Sequence, residues 1–494
     1  MGLDHIPEKQ DWFVPDASMK GPFAPIHAEI EARDLEVIGE LPQDLNGMYV
    51  RNGPSPAHAP HGKYHWFDGD GMLHSVRFQG GKAVYRNRWV ETDGLKAERE
   101  AGRALWPGLK DRMPEGTLPD DAMKNVSNTD VKFHSGKLYS MWYRGGAVYQ
   151  VDPFTLNTLG KLEHDPRLLG LQISAHSRVD EHTGEFMFFA YGNRHPYMHY
   201  GVIGTDGALK TFTPVELPGP RLPHDMAITE NFTILHDFPL INSPDALAAG
   251  RYSLEFRQDW PSRFAVIPRH GSADQIRWFE ADPRYMLHVA NAWEETNASG
   301  EREIVMLGTP YAMPRGYDGG LDVRRLLFTI GTQGTDYEMY QWRFNLDTGL
   351  VREGVVDDIL NTEFPMINTL YQGRKNRFTY NVLMGRPRTL EQPHFAGLVK
   401  YDLDTGAAVA YHPGEGFWFS EAPFAPRDNA QSEDDGYIVG FVWNGLAERS
   451  EVWITDAQDV AKGPVARVIM PQRVPHGFHS TWVRQSQLEA CQVA

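Results

Sequence analysis

Four histidines stand in four separate apolar or turn-flanked settings: His176 in SAHSRVD, His224 in LPHDMAIT, His288 in MLHVANAWEE and His479 in PHGFHSTWV. Neutral imidazoles suit iron, zinc, copper and nickel, and four of them brought together would make a transition-metal site. Ligands this far apart in a chain meet only where a fold carries many strand ends to one axis. The chain has 20 histidines, and a lone one is more often a surface or satisfied core residue than a ligand, so the setting has to select. His288 follows Tyr285-Met286-Leu287 and precedes Val289-Ala290, which puts a polar ring in a buried strand pattern where it needs a partner or a metal. His224 lies between Pro223 and Asp225, a strand-to-turn setting suited to aiming a ring inward. His479 competes with His476; three residues apart, the two point to opposite faces of a strand, and Phe478 and Trp482 favour His479.

A metal-bound imidazole generally has its other ring nitrogen fixed by a carboxylate or carbonyl. Glu363 in NTEFPMIN and Glu421 in SEAPFAPR sit beside aromatic and proline residues, a poor setting for a solvated charge, and they are the candidates for that role. The plain alternative is a pair of surface carboxylates in loops.

The elements that must position these side chains read as mostly β. Long amphipathic helical periods are scarce, whereas short alternating segments bounded by Gly, Asp, Asn and Pro recur. Several share one punctuation, strand then Asp-Thr-Gly or a relative then strand: Thr183 and Gly184, Asp347 to Gly349, Asp404 to Gly406, and more loosely Asp206 and Gly207. Asp caps such a turn and Gly supplies its positive φ. Repeated hairpins at irregular spacing predict an all-β, seven-bladed β-propeller with about 70 residues per blade, in preference to a sandwich or barrel. Residues 92–117 predict a helix followed by a loop, and residues 238–254 a short helix after Ser243-Pro244-Asp245. Both read as a helix/loop cap over one propeller face. No linker or low-complexity segment divides the chain, so residues 1–494 read as one domain.

Composition narrows the partners. With 41% hydrophobic, 12% aromatic and 23% charged residues, 47 Gly and 34 Pro, this is a globular chain able to bury a large core. Lys plus Arg number 48 against 65 Asp plus Glu, a net charge of −17 that repels nucleic acid and anionic membranes. The one cysteine, Cys491, excludes an internal disulfide and a thiolate metal cluster and fits a reducing compartment. With no signal-like N-terminus and no run of roughly 20 apolar residues, the expected location is cytoplasmic. The N-x-S/T triplets at Asn125, Asn231 and Asn297 then read as chance matches.

In chain order, LPQDLNGMYVRNGPSP, YHWFDGDGMLHSVRF, NVSNTDVKFHSGKLYSMW, SAHSRVD, PHDMAIT, HVANAWEE, EFPMIN, EAPFAPR, SEDDGYIVGFVWN and GFHSTWV resemble the signatures of the carotenoid cleavage oxygenases. That family also holds lignostilbene dioxygenases and the retinoid isomerases of the eye. The resemblance runs nearly end to end and implies a seven-bladed propeller with Fe(II) on its axis, held by residues matching His176, His224, His288 and His479. It implies three supporting glutamates, of which Glu363 and Glu421 match two. Thr129 matches a threonine close to a vacant iron position. Where relatives carry the third glutamate this chain has Tyr143, which leaves open whether a phenol or a water orients that histidine.

The implied reaction splits one C=C bond into two carbonyls. That removes four electrons, the number O2 accepts on full reduction, so neither reductant nor organic cofactor is needed; no GxGxxG dinucleotide signature is present, in agreement. Lignostilbene-cleaving relatives carry a lysine where this chain has Trp142. A desolvated phenolate loses its cation there while a polyene gains a stacking surface, which favours a carotenoid or apocarotenoid, with a phenylpropanoid or stilbene alkene such as isoeugenol or a vinylphenol as the alternative. The cap segment is only mildly apolar, interrupted by Asn242, Ser243 and Asp245, which predicts at most weak membrane-surface contact and partly offsets the Trp142 reading. Outside this class stand a non-catalytic propeller platform, which would bind no iron, and a calcium-dependent propeller hydrolase, which would line the axis with oxygens.

Overall fold

The computed structural model describes residues 19–493 apart from residues 61, 115–116, 118–121, 251–253, 312–335 and 386–392. Strands pair with their chain neighbours into seven antiparallel sheets of four or more strands, the blades of a β-propeller, plus one two-stranded hairpin. Residues 130–161, 178–216, 226–281, 286–357 and 362–411 each build one blade. The other two draw on both ends of the chain. Strand Ser480–Arg484 forms the inner edge of the first blade, pairing Val483 with Met48 and Trp482 with Tyr49. Strand Val37–Gly39 in turn closes the outer edge of the last blade, pairing Val37 with Val468. The ring is thus latched twice, and few unpaired inner edges remain to recruit another chain.

Strand patterning follows position in the blade. Lys82–Trp89 alternates buried and more accessible residues, as does Leu209–Glu216, because one face packs on a neighbouring blade and the other meets solvent. The central Gly436–Asn444 is buried at every position, since blades cover it on both faces. All four anticipated turns join adjacent strands of a blade. At two of them Gly349 and Gly406 take φ +80° and +71°, the left-handed region that costs a residue with a Cβ.

The inner strands carry the chemistry. Asp130–His134, Arg178–Asp180, Met226–Ile228, Met286–Thr296, Thr362–Met366 and Ser480–Arg484 begin within two residues of Thr129, His176, His224, His288, Glu363 and His479. Glu421 falls in the break between Phe417–Phe419 and Phe424–Pro426. Inner strands of a propeller share one direction, so these starts emerge on one face of the ring.

Both anticipated helices form on that face. Helix α1, Asp93–Ala101, is capped by Thr92 Oγ1, which accepts the Leu95 N–H at 3.0 Å. Helix α2, Pro244–Ala248, is capped by Ser243 and sits inside a hairpin of Leu240–Asn242 with Leu254–Phe256, so this stretch is strand, helix, strand. Each follows a strand running back toward the histidine end, Lys82–Trp89 or Phe232–Asp237. The Met113 N–H donates to the Gly250 carbonyl at 3.1 Å, tying the two covers together. Among the described residues no helix is long and apolar enough to cross a membrane.

Candidate metal centre

The four histidines converge. Ring centroids lie 4.5 Å apart for His176 and His224, 5.0 Å for His176 and His288, 4.4 Å for His176 and His479, 5.2 Å for His224 and His288, and 4.6 Å for His288 and His479. All four are buried. Potential ligand atoms of His176, His224 and His288 lie within 4.8 Å of one another. His479 completes the ring from the opposite end of the chain. The His176 and His288 Nε2 atoms are buried without any protein partner, a costly state for a polar atom unless something else takes the lone pair.

Carboxylates decide which nitrogen is free. His288 Nδ1 donates to Glu363 Oε2 at 2.5 Å, and His479 Nδ1 donates to Glu421 Oε1 at 2.9 Å. A carboxylate only accepts, so each Nδ1 keeps its proton and each Nε2 presents a lone pair. Glu363 is 0% exposed and also accepts the Thr309 hydroxyl at 2.9 Å and the Phe364 N–H. Glu421 accepts the Ser480 N–H at 2.5 Å and its hydroxyl at 2.9 Å. Burial holds His176 and His224 far below the ordinary imidazole value, and the neighbouring rings push them further. For His288 burial acts the same way, but the Glu363 carboxylate outweighs it and the net shift is upward. Burial would raise Glu421, yet His479 lowers it overall.

Local backbone features aim the rings. His176 has φ +63° and Phe364, beside Glu363, has φ +50°, both in a region that costs a side-chain-bearing residue of order 1–3 kcal/mol. His288 lies where the register with the next strand slips between Met286 and Val289, a bulge that redirects a side chain. The His176 N–H donates to Asp130 Oδ2 at 3.1 Å, and the Val289 N–H, next to His288, donates to Asp225 Oδ2 at 2.8 Å. Burial raises Asp225 above the usual carboxylate range, against the pull of Arg178.

The family model described as "Retinal pigment epithelial membrane protein" matches residues 23–484. The chain belongs to the carotenoid cleavage oxygenase family. It is 35% identical to carotenoid 9,10(9',10')-cleavage dioxygenase 1 of Phaseolus vulgaris over 97% of this chain and 91% of that one. It is 30% identical to isoeugenol monooxygenase of Pseudomonas nitroreducens over 95% and 98% of the two. The lignostilbene dioxygenase structure of Pseudomonas brassicacearum superposes with TM-score 0.82 at 27% identity, covering 97% of this chain and all of that one. The protein is therefore an oxidoreductase that cleaves an alkene using O2. An axis lined by imidazoles also removes the calcium-dependent hydrolase reading, and family membership removes the passive platform.

Against that family background the remaining candidates fall into place. Tyr143 sets its ring 6.1 Å from that of His224. The Thr129 hydroxyl donates to Asn128 Oδ1 at 2.9 Å and accepts the Tyr143 N–H at 3.1 Å, while its carbonyl accepts the His479 N–H at 3.0 Å. Trp142 lines a cap-side cavity with Tyr64, Asp68, Trp106, Met123 and Lys124. Its carbonyl accepts the Ala175 N–H at 3.0 Å, next to His176. His476 points elsewhere, stacked on Phe395 at 4.8 Å and against Phe23 at 5.0 Å. Sequence reading passed over Asp130, Asp225 and Arg178; their one signal was adjacency to the histidine motifs, which surface charges share.

Proposed function

We propose that the protein is a single-domain Fe(II) dioxygenase in which His176, His224, His288 and His479 hold the ion. The observation that carries this is the buried ring of four imidazoles with unpartnered Nε2 atoms on His176 and His288. Four neutral nitrogen donors fit a borderline divalent ion such as iron and leave it its full positive charge. When bound, the iron supplies O2 activation. The chain does the rest: Glu363 and Glu421 lock two tautomers, and Phe364, at 4.9 Å from His288 and 5.2 Å from His479, helps keep water from the reacting bond. Both oxygen atoms end in carbonyls, so no acid–base group is required.

The substrate we propose is a carotenoid or apocarotenoid, threaded past Trp142 on the capped side. Tyr64, Asp68 and Lys124 in that cavity favour a chain end bearing oxygen over a plain hydrocarbon. The same polar lining supports the second reading, a phenylpropanoid of the isoeugenol or stilbene kind, whose phenol or methoxy group would take that end. The lone cysteine fits a reducing compartment, and we place the enzyme in the cytoplasm with no more than weak contact with a membrane surface. Incubating iron-loaded protein with an apocarotenal, a hydroxystilbene and isoeugenol under O2, then identifying the carbonyl products, tests this. Turnover of the phenolic compounds alone overturns the carotenoid assignment, and full activity after removal of two of the four histidines overturns the iron site.

A further inference from the structure

We infer that Arg178 is a positioning residue that sets three of the four metal histidines at once, an inference that rests on the metal-centre reading above. Arg178 opens the inner strand Arg178–Asp180, two residues after His176. Its Nη2 donates to both oxygens of Asp225, at 2.7 and 2.6 Å, next to His224. Its Nε donates to the Met226 carbonyl at 3.0 Å. Nη2 also reaches the Val289 carbonyl at 3.3 Å, next to His288. Asp225 completes the clasp by accepting the Met226 N–H at 2.6 Å and the Val289 N–H at 2.8 Å.

One guanidinium therefore joins the inner strands of three consecutive blades directly beneath the rings those strands present. His479 is set by other groups, the Glu421 carboxylate and the Thr129 carbonyl. The clasp thus governs the spacing of His176, His224 and His288 and leaves the fourth ligand alone. An ion pair that served only folding would have no reason to bond the backbone just after two different histidines, at Met226 and Val289. Arg178 also lines a cavity that reaches His176, His288 and His479 and is shared with Lys132, Glu181 and Gln372. Lys132 lies further along its inner strand and Glu181 just past the end of Arg178–Asp180, so the cavity approaches from the side opposite the cap, and shortening Arg178 exposes its partners to solvent without sealing a void. Lysine keeps the charge but offers one nitrogen, which cannot hold the acceptors at Asp225, Met226 and Val289 on two other blades together.

The test is Co2+ titration of the metal-free protein by calorimetry, with the visible ligand-field band reporting coordination geometry. Arg178→Lys is expected to bind roughly 10–100-fold more weakly, the range for losing a group that orients ligands, and to shift that band. Glu421→Gln, acting on a separate ligand, is expected to weaken binding by its own factor, multiplying with that of Arg178→Lys. A Co2+ affinity and band for Arg178→Lys indistinguishable from wild type, with only thermal stability lowered, overturns the inference. If Arg178→Lys fails to fold, the pair Arg178→Met with Asp225→Asn, which leaves no unpaired buried charge, is read in the same way. Absence of Co2+ binding by wild type, or unchanged binding by His288→Ala, overturns instead the metal-centre reading underneath.

Discussion

Replacing Glu363 by glutamine removes one negative charge beside His288 while keeping the side chain's shape. The carboxylate accepts from His288 Nδ1 at 2.5 Å, from the Thr309 hydroxyl at 2.9 Å and from the Phe364 N–H. An amide retains an oxygen for His288, and the Thr309 hydroxyl can turn to accept the new NH2, so what is lost is the charge assistance. A hydrogen bond to a charged group contributes about 1.5–3 kcal/mol, and each 1.4 kcal/mol is about tenfold in affinity. The lost assistance makes His288 a poorer donor, so Fe(II) affinity is expected to fall by roughly ten- to a hundredfold. The assay is anaerobic competition for Fe2+ against a chromophoric chelator, with turnover expressed per bound iron. An unchanged affinity in a folded Glu363→Gln protein would refute the view that this carboxylate sets the ligand. Glu363→Ala is expected to be far worse, at about 3–5 kcal/mol of stability, because it strands the buried donors.

Three further outcomes are expected. His479→Ala loses bound metal and cleavage of any alkene, whereas His476→Phe keeps both, since His476 lies among Phe23, Trp66 and Phe395; metal content by plasma emission distinguishes them. Burial holds His134 down at about 4, against about 6.5 for a free imidazole. Between those values the unfolded chain protonates this ring and the folded chain does not, so its stabilising contribution is complete above about pH 6.5 and shrinks as pH falls, by up to about 3 kcal/mol near pH 4. Urea unfolding at pH 7.5 and pH 5 checks this, and His134→Gln should reduce the difference, other buried histidines such as His65 and His236 contributing the rest. Trp142→Lys, placing a cation in the wall of the cap-side cavity, should raise kcat/KM for a hydroxystilbene relative to an apocarotenal by about tenfold or more if a phenolate is gripped there; a ratio that stays put would separate Trp142 from substrate choice.

The hydrophobic and turn patterns of this chain were sufficient for the architecture. Alternating segments punctuated by Thr183-Gly184, Asp347–Gly349 and Asp404–Gly406 mark hairpins because an Asp cap and a positive-φ glycine are local requirements, and the structure has hairpins at each. The caps of both covering helices, Thr92 and Ser243, were local in the same way. The histidines could be nominated from their settings, and Glu363 and Glu421 from their apolar neighbours, since a charge among Phe and Pro needs a buried partner.

Which of them belong together was a tertiary matter. Phe478 and Trp482 single out His479 over His476 within PHGFHSTWV, but His479 meets His176 only because the C-terminal strand latches onto the first blade. Arg178, Asp130 and Asp225 look like ordinary strand-end charges in one dimension. Their roles arise from bonds across blades, with partners such as Val289 over a hundred residues away, and only the closed ring brings those partners within reach.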